Sequence, residues 1–323
     1  MSSLPSWLVR ETSNNTPISA DWTYEDQKWG EGMKVPEWTK SHDQAFSKSI
    51  GVHTSILSVS TPGVTFIKDP QESAAMARTL NHYCARLRDE DPQGYGFFAS
   101  VPSLQYPDLA IQELRFALDE LHADGVVLFT HYGTGDAYLG NDIYVPVWEE
   151  LNARRAVVFV HPINGKDTSR WNEKVVEPAF DWPHETGRTA MDMIMTRRLF
   201  QFPDVKIILS HGGGTLPLLT ARATIMAQPA FGAAISVDDI YNQAKNFYFD
   251  TALSGSAEVL PLVLGFAKKG HVLFGSDFPH ATDKFAAQMT AFTDGYSMED
   301  AKRREIYQTA AEELFPRLKT FSG

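Results

Sequence analysis

Three residues in this chain stand where chemistry is usually done. His161 closes the run "VVFVHP" (157–162), His211 closes "KIILSHGGG" (206–214), and Asp277 closes "VLFGSD" (272–277). Imidazole nitrogen and carboxylate oxygen are the usual ligands of zinc and similar divalent ions. The same groups move protons in catalysis. One histidine at a strand end is more often an ordinary hydrogen-bonded residue, and an aspartate there often caps a turn. The three together gain weight because they share a place, just past the carboxyl ends of separate apolar runs. His53, His82, His122 and His271 lack that place and read as ordinary packing residues: His53 opens a run, and His122 sits in a helical pattern. Gly212, Gly213 and Gly214 after His211 let backbone approach a ligand or serve a tight turn.

The elements that must carry these residues alternate along the chain. Candidate strands are Thr54–Val59, Phe97–Val101, Gly125–Phe129, Ala156–Val160, Val205–Leu209, Phe247–Asp250 and Val272–Phe274. Several are continuous and β-branched, as in a parallel sheet buried on both faces. Helical patterns such as "DLAIQELRFALDELHA" lie between them. This alternation predicts an α/β fold, either an open doubly wound sheet or a closed (β/α)8 TIM barrel. Neither a G-x-G-x-x-G nor a P-loop pattern is present, which weakens the nucleotide-binding open sheets. Polar residues gathered past strand carboxyl ends favour the barrel, whose catalytic residues collect on that face. Residues 1–34 read as an atypical N-terminal segment and 35–323 as the barrel domain.

Composition narrows the partners. The chain has 323 residues, a formal net charge of -11 and a pI near 5.4. It lacks the basic footprint that nucleic acid or an anionic membrane requires. No apolar run approaches membrane-spanning length, and no signal peptide is expected at the N-terminus. Cys84 is the single cysteine, so no intramolecular disulfide forms. That suits a reducing, cytoplasmic location.

Taken in order, "VVFVHP", "ILSHGGGTLP" (208–217) and "LFGSDFPH" (273–280) resemble the metal-dependent decarboxylase branch of the amidohydrolase superfamily, the aminocarboxymuconate-semialdehyde decarboxylase-like proteins. "SILSVSTPGV" (55–64), "GFFASVP" (96–102), "WEELNARRAVVFVHP" (148–162) and "LFPRL" (314–318) look most similar to the 6-methylsalicylate decarboxylases of that branch. The resemblance runs from about Val35 to the C-terminus. It implies a (β/α)8 barrel with one divalent ion at its mouth, Zn2+ first and Mn2+ second. His161 and Asp277 match metal ligands of the family's fifth and eighth strands. His211 matches the sixth-strand histidine that hydrogen-bonds metal-bound water or substrate. Arg222 matches an arginine that crosses a dimer interface to hold a substrate carboxylate, so a homodimer is implied. The superfamily's binuclear members place a lysine at the end of the fourth strand; here that strand ends in Phe129-Thr130, which points to a single metal.

One departure stands out. The family's first strand ends in His-x-His or Glu-x-His, and those residues complete the metal site. This sequence has no histidine before His42, and the strand census finds seven where a closed barrel needs eight. "SWLVRE" (6–11) is the candidate first strand, with Glu11 as a stand-in ligand, although Arg10 and Glu11 read more simply as a solvated charge pair. A truncated or mis-started chain would also account for the departure, and so would a relative that has lost its metal.

The implied reaction is non-oxidative decarboxylation of a small aromatic 2-hydroxy acid such as 6-methylsalicylate. Asp277 would protonate the ring carbon, and His211 would orient the carboxylate and tune Asp277. Trp171, Trp182 and Phe278 would wall a flat pocket, or else simply pack the barrel. The alternatives are a metal-dependent hydrolase or lactonase of the same superfamily, with Asp277 as general base, and a non-catalytic barrel without its metal.

Overall fold

The computed structural model describes residues 36–133, 137–165, 172, 174–226 and 235–321. Its seven parallel strands are β1 (Ser55–Ser58), β2 (Tyr95–Ala99), β3 (Gly125–Phe129), β4 (Val157–His161), β5 (Lys206–Leu209), β6 (Tyr248–Asp250) and β7 (Val272–Leu273). Each pairs with the next in chain order, and every pairing is parallel. That order, with a helix between successive strands, is the progression of a (β/α)8 barrel. Among the described residues the outer edges of β1 and β7 have no strand partner, so the sheet is open along one seam.

The strands sit where the apolar runs predict, with small shifts. β2 begins two residues earlier than the pattern suggests, and β4 includes His161 as its last residue. Residues before 36, including "SWLVRE" and Glu11, lie outside the described residues.

The helices that matter here are α1 (Lys40–Ser49), α2 (Pro70–Glu90), α3 (Pro107–Arg115), α4 (Val145–Ala153), α5 (Trp182–Met195), α6 (Leu216–Met226), α7 (Val237–Asn246), α8 (Val259–Phe266) and α9 (Asp283–Gly295). Their starts are written locally. Asp69 caps α2 by accepting from the Gln71 and Glu72 amides, each at 2.9 Å, with Pro70 opening the first turn. The core fills the space between strands and helices. Leu128, Val158, Val160, Leu209 and Phe249 are completely buried. Each such side chain contributes about 1.5–3 kcal/mol relative to exposure. Trp148 on α4 is buried among them and donates its indole N–H to the Leu139 carbonyl at 2.8 Å.

α1 reaches across the seam. On one side the Tyr95 hydroxyl at the start of β2 donates to Asp43 at 2.7 Å. On the other, Phe46 stacks on Phe278 with centroids 4.4 Å apart, and His42 meets Asp283 at 2.8 Å. No described helix is long and apolar enough to cross a membrane.

Candidate active site at the strand carboxyl ends

The turn after β5 positions His211. Gly212, Gly213 and Gly214 all adopt positive φ (63°, 77° and 58°), and a Cβ on Gly214 would run into the Pro183 carbonyl oxygen. The three glycines therefore serve a tight turn packed against the start of α5. His211 itself has φ 56°, an uncommon value for a side chain with a Cβ. Asp277, further around the rim, has φ 59°. Both residues named by the sequence pattern sit in the left-handed region, the kind of local strain that clusters at functional sites.

The side chains converge. His211 Nε2 lies 3.4 Å from Asp277 Oδ1, and the His211 ring packs against the His161 ring with centroids 5.2 Å apart. His161 donates its Nδ1–H to the Pro162 carbonyl at 2.8 Å. A carbonyl can only accept, so the proton is fixed on Nδ1 and Nε2 keeps its lone pair. Trp182 meets the His161 ring edge-on at 5.5 Å, and its indole N–H donates to Asn164 Oδ1 at 2.7 Å. Trp182 thus backs His161 from behind.

Electrostatics sort the three groups. Burial, helped by the nearby His211, pushes His161 down to about 3, so it is a neutral imidazole. Burial also works against charge on Asp277 and His211, but their mutual hydrogen bond and attraction outweigh it. Asp277 is held below the usual carboxylate range and His211 above the usual imidazole range. Within the pair a proton is therefore favoured on His211 over Asp277.

A cavity of about 1500 Å³ opens over these residues and continues down the seam, lined by His161, His211 and Asp277 at the rim and by Ser55–Ser58 of β1 and Leu273 of β7 below. Neutral His161 and ionised Asp277 have the donor chemistry of a divalent-ion site. Their number falls short: among the described residues, no group of three His, Cys, Asp or Glu side chains is arranged to hold an ion. A catalytic zinc normally has three protein ligands plus water.

A family model for the amidohydrolases matches residues 57–317. The chain belongs to the amidohydrolase family. The 6-methylsalicylic acid decarboxylase acuB of Aspergillus aculeatus is 47% identical over 294 residues, covering 89% of each chain. A 6-methylsalicylic acid decarboxylase of Penicillium expansum is 45% identical over 289 residues, again covering 89% of each. Among solved structures, a dihydroxybenzoic acid decarboxylase from Polaromonas with bound manganese and the inhibitor 2-nitroresorcinol superposes with a TM-score of 0.77 at 25% identity, covering 86% of each chain.

The other residues singled out in this amidohydrolase sequence scatter. Phe278 lines the cavity, but its ring also stacks on Phe46 and meets His42 edge-on at 5.1 Å, so it ties α1 to the rim. Arg222 is exposed on α6, among the exposed apolar residues Leu218, Leu219, Ile225 and Met226. Trp171 lies outside the described residues. His82 is exposed and meets Phe116 edge-on, while His271 is buried and stacks on Tyr248; neither reaches His161, His211 or Asp277. Two features escaped the sequence reading. Asp250 ends β6 beneath His211, and the strand-end rule that found Asp277 applies to it equally. His131, just past β3, is buried beside Glu185, with Nε2 3.7 Å from the carboxylate and donating to the Asn164 carbonyl at 2.9 Å. That pairing is non-local, so no sequence pattern announces it.

Proposed function

We propose that this amidohydrolase is a non-oxidative decarboxylase of small aromatic 2-hydroxy acids, with 6-methylsalicylate as the leading substrate. The observation that carries the reading is the His211–Asp277 contact of 3.4 Å beside a neutral, half-buried His161 at the mouth of a parallel barrel. The identity of 45–47% to 6-methylsalicylic acid decarboxylases, over 89% of the chain, supports the substrate class.

In the overall reaction a 2-hydroxybenzoate takes up one proton and yields a phenol and CO2. A C–H bond forms at the ring carbon that bears the carboxylate. The bond from that carbon to the carboxylate then breaks, and its electron pair restores the aromatic ring. The proton passes through the His211–Asp277 pair, from His211 to Asp277, and is delivered to the ring carbon by Asp277. The pair is then reprotonated from solvent. His211 also orients the departing carboxylate by hydrogen bonding.

His161 and Asp277 would be two ligands of a divalent ion, zinc or manganese, both of which accept nitrogen and oxygen donors. Such an ion, when bound, supplies a template and an electrostatic sink for the anionic substrate. Manganese in the Polaromonas neighbour supports the second choice. Any further ligand comes from outside the described residues or from solvent.

Homodimerisation through α6 is part of the same reading. Leu218 and Ile225 are 65% and 67% exposed there, flanking Arg222, and a cation at that edge suits a carboxylate substrate. A reducing, cytoplasmic location suits the single buried Cys84.

The test is a substrate panel. With zinc or manganese added, CO2 and a phenol are expected from 6-methylsalicylate, and no acid release from aromatic lactones. Lactone hydrolysis without CO2 release would replace this reading with the hydrolase.

A further inference from the structure

Asp250 is the last residue of β6 and is 8% exposed, with its carboxylate reaching the cavity floor. Its Oδ1 accepts two backbone N–H bonds, from His211 at 2.7 Å and from Ala252 at 3.1 Å. The first is the notable one. It crosses from β6 to the turn after β5 and grips the main chain of His211 itself, at the residue whose φ is 56°. The neighbouring Thr251 makes the matching contact on the other side. Its hydroxyl accepts from the Gly275 N–H at 3.1 Å, two residues before Asp277. Gly275 also leaves room for the carboxylate: a Cβ there would lie 3.2 Å from Asp250 Cβ and 3.3 Å from its Cγ.

We propose that Asp250 is a positioning residue that, with Thr251, brackets the two strained turns and sets the separation between His211 and Asp277. Left-handed backbone at a non-glycine residue costs about 1–3 kcal/mol and persists only where its surroundings impose it. A buried acceptor on the His211 amide is such an imposition, because leaving that N–H without a partner would cost its full desolvation penalty. Burial raises the Asp250 carboxyl to about 6, so at neutral pH it is mostly ionised, and its charge adds to the field that favours a proton on His211. Asp250 acts here through the main chain of His211 and needs no contact with the reacting ring.

Substitutions separate acceptor from charge. Asp250→Asn keeps an oxygen that can accept both N–H bonds, whereas Asp250→Ala removes it. Asp250→Leu keeps the volume without an acceptor and serves if the alanine variant fails to fold. Crystal structures of the variants give the primary reading. In the acceptor-free variant His211 is expected to leave positive φ, and Nε2 to move beyond hydrogen-bond reach of Asp277. In Asp250→Asn both stay in place.

The kinetic arm rests on the decarboxylase reading. There kcat on 6-methylsalicylate should fall about 100-fold without the acceptor, the scale of a small misplacement at an active site. KM should stay within about threefold, and Asp250→Asn should recover most of the rate. An acceptor-free variant that keeps His211 in place overturns the proposal. So does an Asn variant as impaired as Ala, and so does failure of both acceptor-free variants to fold, which would make Asp250 a fold determinant only. If the parent protein decarboxylates no 2-hydroxybenzoate, the decarboxylase reading fails, while the crystallographic comparison still decides the role of Asp250.

Discussion

The arc of the rim from β4 to β7 and the seam between β1 and β7 are built to different standards. On the arc, every strand end is tied to the next. β4 ends on His161, whose ring packs on His211; the His211 amide is held by Asp250 of β6; and Thr251 holds Gly275 after β7. At the seam two strand edges face each other without a described strand between them, and the gap is spanned from outside by α1, through Asp43 and Phe46, and by the C-terminal residues 306–317, through Tyr307 on Phe274 and Phe315 on Phe98. The arc holds proton-transfer groups in fixed relation. The edge strand β1, Ser55–Ser58, carries no histidine or carboxylate, and among the described residues His161 and Asp277 gain no third ligand. Catalytic geometry in this chain thus depends on contacts between successive strand ends, and it is complete only where those strands are consecutive.

The largest expected effect falls on the arc. Asp277→Asn should lower kcat for decarboxylation by about 10³-fold or more, within the range that a positioned general acid supplies. Circular dichroism should change little, and any fall in melting temperature should be modest, because the variant loses the His211 partnership but no core packing. A variant with near-parental kcat would show that another group delivers the proton.

Ion binding sharpens the contrast next. Two donors hold a divalent ion loosely, so desalted protein should lose most of its metal, and activity should return on adding zinc or manganese. Elemental analysis before and after desalting checks this. Near-stoichiometric metal that survives desalting would mean that further ligands reach the site from residues outside those described, Glu11 among the candidates.

Hydrogen exchange compares the two regions directly. The amides of Ile208 and Leu209 in β5, paired on both sides, should exchange at least about 100-fold more slowly than those of β1 and β7 at the seam. Equal protection would show that something closes the seam in solution.

The smallest effect is a pH dependence of stability from Asp250. Its folded-state pKa of about 6 lies above the ordinary carboxylate value of 3.8. The folded state therefore binds this proton more tightly than the unfolded state. The group's contribution is fully present below about pH 4 and is lost as pH rises through 6. The melting temperature of the parent protein, relative to Asp250→Asn, should fall between pH 4 and 6.5 and level off above. A flat difference would mean that Asp250 titrates normally.

Much of this arrangement is legible in the sequence. Continuous β-branched runs mark the strands, and a polar residue at the end of each marks the rim, so His161, His211 and Asp277 could be named together. Asp250 obeys the same rule, but it reads as the last letter of "FYFD" because its partners are backbone amides of other turns. The positive φ of His211 and Asp277 leaves only a weak trace in residue type, since Asp and His tolerate that region better than most side chains but adopt it in few of their positions. Phe278 reads as a pocket wall. Its stacking on Phe46 depends on how α1 crosses the seam, which periodicity along a single helix does not encode. Trp171 and the segment 1–34 fall outside the described residues, so their expected roles rest on the sequence alone.

The most direct test of the central claim is CO2 release from 6-methylsalicylate by the full chain, with and without added divalent ion, alongside Asp277→Asn. Metal-stimulated CO2 with one equivalent of phenol is expected, abolished in the variant. No CO2 from any 2-hydroxybenzoate at saturating metal, or release that survives Asp277→Asn, would contradict it.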